Sequence, residues 1–303
     1  MVNVIRSSIR FLWRLVRPIK RKLLVDEYRM LEYALNEVSE LRSLIRYLLA
    51  ESEEYQKYIK QTSASFDYQW AYIPSGTALI SDAKFRAEAT AIVERYTSLP
   101  REWFADKKVL DAGCGNGRFS WALCQLGARV TAIDQSLSGI DAARLACANF
   151  PSFQARQHDV LKDIGMPAAF DLVWSFGVVH HTGNTYLAVQ NLAKCVKPGG
   201  HLYLMIYSEP RFDYSAEFAV LNRYTLMRRK LMAMEFDERV RYLQGIQAQD
   251  EVHGLFDTYS PMINDLYRFD EIAEWLRSCG FSEIRNTAPP FAAGHHVIAR
   301  KLM

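Results

Sequence analysis

The segment Val109-Leu110-Asp111-Ala112-Gly113-Cys114-Gly115-Asn116-Gly117 constrains this chain more than any other, because an apolar run leads straight into three glycines and then into the helix-forming stretch Arg118 to Leu126. Glycines at such a turn let the backbone come close to a ligand that side chains would fend off. A pyrophosphate-binding turn spaces its glycines G-x-G-x-x-G, whereas Gly113, Gly115 and Gly117 are spaced two by two. Asp111, just ahead of the turn, would repel a pyrophosphate and suits a ligand that carries positive charge.

Around that turn, strand and helix signals alternate in the way that builds a parallel sheet covered by helices on both faces. Strands are expected at Lys108 to Asp111, Arg129 to Ile133, Ser152 to Gln157, Phe170 to Ser175 and His201 to Tyr207. Helices are expected at Arg118 to Leu126, Gly139 to Ala148, Thr185 to Val196 and Phe269 to Cys279, the third stopped by Lys197-Pro198-Gly199-Gly200 and the last by Gly280. Phe281 to Thr287 and Ala292 to Arg300 complete a seven-stranded, mostly parallel, doubly wound α/β sheet. Ser208 to Tyr267 forms a mostly helical insertion after strand five, on the side where open sheets place lids and substrate walls. The expected division is a helical arm at 1–62 and one α/β domain at 63–303, with Pro74-Ser75-Gly76 marking a loop.

The turn D-A-G-C-G-N-G resembles motif I of class I S-adenosylmethionine-dependent methyltransferases, and other residues match that family in order. Asp134, followed by Gln135 at the end of strand two, is similar to the acid that takes both ribose hydroxyls. His158-Asp159-Val160 resembles the turn that holds the adenine amino group. Phe170 to Ser175, then Phe176 and Val178-Val179-His180-His181-Thr182, resembles the fourth strand and active-site lip. The resemblance covers about residues 105 to 207. It implies S-adenosylmethionine as cofactor, bound by Asp111, Gly113, Cys114, Gly115, Gly117, Asp134, Gln135, His158, Asp159, Val160, Ser175 and Phe176. Ser65-Phe66-Asp67-Tyr68-Gln69-Trp70 is similar to an F-G-Y-x-W segment of bacterial methyltransferases associated with surface polysaccharides, with Asp67 in place of the glycine. Leu255 to Pro261 and the helix from Phe269 extend that likeness. It implies that Tyr68 and Trp70 close over the cofactor, packing within a linker being the alternative.

Methyl transfer from a sulfonium is an in-line displacement, so the protein must orient a nucleophile, exclude water and accept a proton from a hydroxyl acceptor. His181 is the preferred base and His180 its neighbour in the same loop; His253, Asp257 and Tyr259 from the insertion are further candidates, and His295 and His296 read as structural. No residue set has the spacing of a metal site. The expected function is O-methylation of a sugar on a membrane-linked glycan. A quinone-like lipid, another small molecule or a modified tRNA base is the alternative acceptor, and a non-catalytic cofactor-binding assembly protein or an oxidoreductase is the alternative class.

Outside the α/β region, Arg6, Arg10, Arg14, Arg17, Lys20, Arg21 and Lys22 share a helical pattern with Ile5, Ile9, Leu12, Val16, Ile19 and Leu23, which suits an anionic membrane surface or docking on the chain's own domain. Taking those seven from the 37 basic residues leaves 30 against 34 acidic ones, a net of −4 that disfavours nucleic acid as partner. Leu31, Leu35, Val38, Ile45 and Leu49 form a heptad-like seam within 26–60, interrupted by Arg42, that could pair copies of the chain. Five scattered cysteines without a C-x-x-C pair, and no uninterrupted apolar stretch of about 18 residues, point to a cytosolic protein, held at most peripherally at the inner membrane face.

Overall fold

The structure, a computed structural model, describes residues 41, 45, 48, 52–73, 82–209, 225–246, 252–289, 292 and 294–303. The basic helix expected at 1–24, the loop at 74–76 and most of the heptad-like seam lie outside them. The compact unit that carries the site begins at Gln56. Helix α1 (Glu53–Tyr72) runs without a break across residues 62 and 63, with no proline or glycine to interrupt it.

Seven strands form one sheet: β1 (Lys108–Ala112), β2 (Arg129–Asp134), β3 (Gln154–Gln157), β4 (Phe170–Phe176), β5 (Val196–Tyr207), β6 (Phe281–Asn286) and β7 (Gly294–Lys301). Their order is β3-β2-β1-β4-β5-β7-β6. The first five pair in parallel, while β7 runs antiparallel to both β5 and β6. Between β1 and β4 the chain's path reverses direction across the sheet, and in an open α/β sheet that opens a crevice at the strands' carboxyl ends.

Strand alternation assigns the two faces. Leu110, Val173, Leu202 and Leu204 pack with Ala188, Leu192, Ile272 and Leu276 from helices α5 (Thr185–Cys195) and α8 (Phe269–Ser278). On the other face, Val109, Leu172, Trp174 and Tyr203 pack with Val93 of α2 (Ala83–Thr97) and Leu123 of α3 (Arg118–Gln125). Trp174 and Tyr203 are fully buried and stack at 3.8 Å, each large apolar side chain contributing about 1.5–3 kcal/mol by burial. Helix α4 (Leu137–Ala146) is capped by Ser136, whose hydroxyl accepts from the Gly139 amide at 3.0 Å.

Two elements differ from the sequence expectation. Helix α2 was not anticipated; Asp82 caps it by accepting from the Phe85 amide at 3.0 Å, and Ser98 ends it at φ 54°. Strand β5 starts at Val196 instead of His201: Lys197-Pro198-Gly199-Gly200 does stop the helix, but the sheet absorbs the turn as an irregularity between the pairs Phe170–Val196 and Leu172–His201. The insertion is helical where described, at 225–232, α6 (Phe236–Gln244) and α7 (Val252–Tyr259). Among the described residues no helix is long and apolar enough to cross a membrane, and the five cysteines are free.

Candidate functional site

A cavity of about 360 Å³ opens over the carboxyl ends of β1, β2, β3 and β4. Its floor comes from the ends of those strands: Gly113, Cys114 and Gly115 after β1, Asp134 and Gln135 at β2, His158, Asp159 and Val160 after β3, and Phe176 closing β4. Gly113 has φ +80°, and a Cβ there would lie 2.2 Å from a Val178 methyl, so the turn admits only glycine.

Asp134 is the electrostatic centre of this floor. It is 9% exposed, and its two oxygens accept from the Gly115 and Ser136 amides, each at 2.8 Å. Burial pushes its carboxyl above the usual range, and these amide bonds oppose that rise. Each oxygen keeps a further lone pair for a ligand. Asp159 accepts from the Leu161 amide at 2.9 Å, which orients its carboxylate beside buried Val160. The Nε2 atom of His158 is buried without a partner, and an orphaned polar atom at a cavity wall calls for a ligand or water.

Helices supply the walls. Ile59, Ser63, Phe66 and Trp70 of α1 recur every three or four residues and line one side. Phe66 meets His181 edge-on at 5.1 Å, while Trp70 lies over the glycine turn, within 2.6 Å of where a Gly115 Cβ would be. Arg118, at the first turn of α3, lines the cavity with its guanidinium 4.2 Å from the Phe85 ring centre, and burial lowers its pKa.

His181 is 7% exposed and borders the cavity; its Nδ1 lies 2.8 Å from the Ile263 carbonyl oxygen. A carbonyl only accepts, so Nδ1 carries the proton and Nε2 is left as an acceptor for the cavity. Burial pulls its pKa down to about 4, so the ring is neutral near pH 7. From the insertion, His253 and Asp257 also line the cavity.

Twelve of the sequence-predicted site residues meet around this space: Gly113, Cys114, Gly115, Asp134, Gln135, His158, Asp159, Val160, Phe176, Trp70, His181 and His253. Six do not, each for a local reason. Asp111 alternates onto the α3 face, where Ser120 Oγ donates to it at 2.6 Å; burial pushes its pKa up to about 7. Gly117 caps α3 at φ 85°, where α4 passes so close that a Cβ would sit 2.7 Å from Ala143 Cα. Ser175 is 1% exposed and points to the opposite face of β4 from Phe176. His180 is fully buried, its ring 4.2 Å from Tyr207, and burial holds its pKa well below 6.5. Tyr68 and Tyr259 join a separate cluster around Leu231, Leu243 and Phe256, with the Tyr68 hydroxyl donating to Asp237.

Sequence reasoning passed over Arg118, Phe85, Phe66 and Gln69. The helical spacing of Phe66 and Trp70 was a usable signal, whereas Gln69 is recruited only by tertiary contact. As expected, His296 is structural: it meets the Tyr203 hydroxyl at 2.7 Å and stacks on Tyr96.

Comparison with known proteins agrees with this geometry. Residues 110–204 match the family described as "Methyltransferase domain". The mitochondrial ubiquinone biosynthesis O-methyltransferase of Schizosaccharomyces pombe is 34% identical over 111 residues, which is 36% of this chain and 40% of that protein. A demethylmenaquinone methyltransferase of Tropheryma whipplei is 28% identical over 178 residues, 58% of this chain and 67% of the relative. This chain thus spans well under two thirds of the first of these relatives. Among solved structures, the YcgJ protein from Bacillus subtilis aligns at a TM-score of 0.50 and 11% identity, over 72% of this chain and 99% of that one. An O-methyltransferase family protein from Burkholderia thailandensis aligns at 0.50 and 14% identity, over 72% and 57%. At those identities the likeness is one of fold.

The fold is that of class I S-adenosylmethionine-dependent methyltransferases. Residues 110–204 match a methyltransferase domain, and the cofactor that this fold implies is S-adenosylmethionine. The residues present fit that molecule chemically. Asp134 offers two acceptors to a ribose diol, Asp159 one to an exocyclic amine, and His158 Nε2 is a buried polar atom in want of a partner. Arg118 offers a cation to a carboxylate, and the Phe66, Phe176 and Trp70 rings can face a sulfonium.

Proposed function

We propose that this chain methylates a hydroxyl oxygen on a quinone-like ring. The observation that carries the reading is the neutral His181, anchored through Nδ1 to the Ile263 carbonyl at 2.8 Å, with Nε2 left to the cavity. S-adenosylmethionine, when bound, supplies an electrophilic methyl on a positively charged sulfur. Asp134, Asp159 and the glycine turn would hold its adenosyl part, and Phe66, Phe176, Met205 and Tyr207 would keep the surrounding space apolar and short of water.

Bound there, the cofactor would supply that methyl to the acceptor oxygen and would leave as the neutral thioether. The hydroxyl proton passes to His181 Nε2. A base whose conjugate acid has a pKa of about 4 does not ionise a phenol-like hydroxyl, of pKa about 10, ahead of attack. Proton transfer therefore accompanies methyl transfer.

Support for the acceptor class comes from the relatives, whose names concern ubiquinone and demethylmenaquinone, and from the apolar wall. The sugar acceptor expected from the sequence finds no counterpart in those names, so the quinone-like alternative replaces it. The test incubates the purified chain with methyl-labelled cofactor and, separately, a hydroxylated quinol and a lipid-linked sugar. Label in the quinol, lost in His181→Gln, supports the reading; label only in the sugar overturns the acceptor assignment.

A further inference from the structure

One polar cluster on the cavity wall has no role in that chemistry. Gln69 is fully buried on α1, and its Nε2 lies 3.0 Å from His253 Nε2 and 3.4 Å from Asp257 Oδ1, both on α7. His253 and Asp257 border the cavity, one helical turn apart. Two buried atoms of the cluster have no hydrogen-bond partner: Gln69 Oε1 and His253 Nδ1. Orphaned buried polar atoms cost about 1–3 kcal/mol each and are rare without a ligand or water to repay them. Gly254, between the two α7 residues, adds no side chain, and a Cβ there would meet nothing within 4 Å, so the space beside the cluster is open.

The chemistry of the group selects its ligand. Burial pushes Asp257 up to about 6, which leaves it mostly ionised at neutral pH, and pulls His253 down to about 4, which leaves it neutral. The cluster therefore presents a carboxylate and an amide oxygen and carries one negative charge. A half-buried carboxylate on the cavity wall with one long hydrogen bond is poorly compensated, and a cationic donor is the partner that offsets its desolvation. Position narrows the choice further. The His253 ring lies 5.3 Å from the Trp70 ring, which covers Gly115 of the glycine turn. Phe66, one turn earlier on α1, marks the His181 end of the cavity. The cluster thus belongs with the glycine turn and not with the base.

We propose that the Gln69 Oε1 atom and Asp257, with the Gln69 amide oriented by its donation to His253 Nε2, form a subsite that receives the α-ammonium group at the amino-acid end of the cofactor, while Arg118 faces its carboxylate. This rests on the methyltransferase reading above and extends it to residues outside the matched family segment, which ends at 204.

Calorimetry on the full chain tests it with two ligands: S-adenosylhomocysteine and the analogue in which hydrogen replaces the α-ammonium. The wild type should bind the deaminated analogue about 10–100-fold more weakly, the range expected for a charged hydrogen bond. Asp257→Asn, which keeps the volume and can still accept from Gln69, should lose a similar factor for S-adenosylhomocysteine and none for the analogue. Gln69→Met should lose less. Equal losses for both ligands, or unchanged S-adenosylhomocysteine affinity in Asp257→Asn with a raised acceptor KM, overturns the assignment. A wild type that takes up neither ligand brings down the methyltransferase reading itself, a result distinct from either.

Discussion

The cavity has two kinds of wall, and they are built differently. Its floor is made by strand ends and turns close in sequence: Gly113 and Gly115 follow β1 directly, and Asp134 receives the amide of Ser136 two residues on. Its helical wall is held by pairs about 170–200 residues apart, such as Tyr68 with Asp237, Gln69 with His253, Ser65 with Ser260, and Thr62 with Met262 and Ile263. The contrast shows which part of a binding site a local pattern can specify. Backbone geometry writes the floor into a short motif, whereas the wall exists only after α1 docks against the insertion.

The largest effect that sharpens this comparison is at the junction of the two walls. His181→Gln should lower kcat about 10²–10⁴-fold and leave S-adenosylhomocysteine affinity unchanged by calorimetry. A parallel loss of affinity would place His181 with the cofactor and erase the distinction. Thr62→Val comes next. It removes the hydroxyl that accepts from the Met262 and Ile263 amides at 3.0 and 2.8 Å, so it should cost about 1–3 kcal/mol in denaturant unfolding. Because Ile263 also anchors His181, kcat should fall with it. An unchanged unfolding midpoint would show that the helical wall is not held through Thr62.

Asp111→Asn probes the floor with a smaller, pH-dependent effect. Burial raises the Asp111 pKa from 3.8 to about 7, so its contribution to stability is fully present below about pH 4 and is lost as pH rises through about 7. The variant carries no such proton. Its Tm should exceed the wild type's at pH 8, and the gain should vanish on acidification to pH 4. Cofactor affinity should change little, because Asp111 faces Ser120 and not the cavity. A large affinity loss would return Asp111 to the ligand site.

Tyr68→Phe should produce the smallest change. Removing the hydroxyl that donates to Asp237 should lower Tm slightly, with cofactor affinity unaltered. A loss of affinity would restore the reading in which Tyr68 closes over the ligand.

These particulars also show what the sequence made legible. The sheet, its glycine turn, Asp134 and the loop carrying His181 all follow from short patterns of alternating apolar residues and turn signals. Asp111 and Ser175 lie off the cavity lining because a motif names residues without giving their face, and alternation along β1 and β4 turns both side chains away from the crevice. Tyr68 and Trp70 are two residues apart on one helix, about 200° around its axis, so they cannot both cover the same ligand. Helix α2 carries weak amphipathic patterning. Its burial against β1 and α3 supplies most of its support, which no local window contains.

Binding of the adenosyl group at the strand tips is tested most directly by calorimetry of S-adenosylhomocysteine on the wild type and Asp134→Ala. The account predicts binding at one site per chain in the wild type, and a loss of about 100-fold or more in the variant, where the amides of Gly115 and Ser136 also lose their acceptor. Binding that survives the substitution undiminished, or a wild type that takes up a nicotinamide dinucleotide in preference, would contradict it.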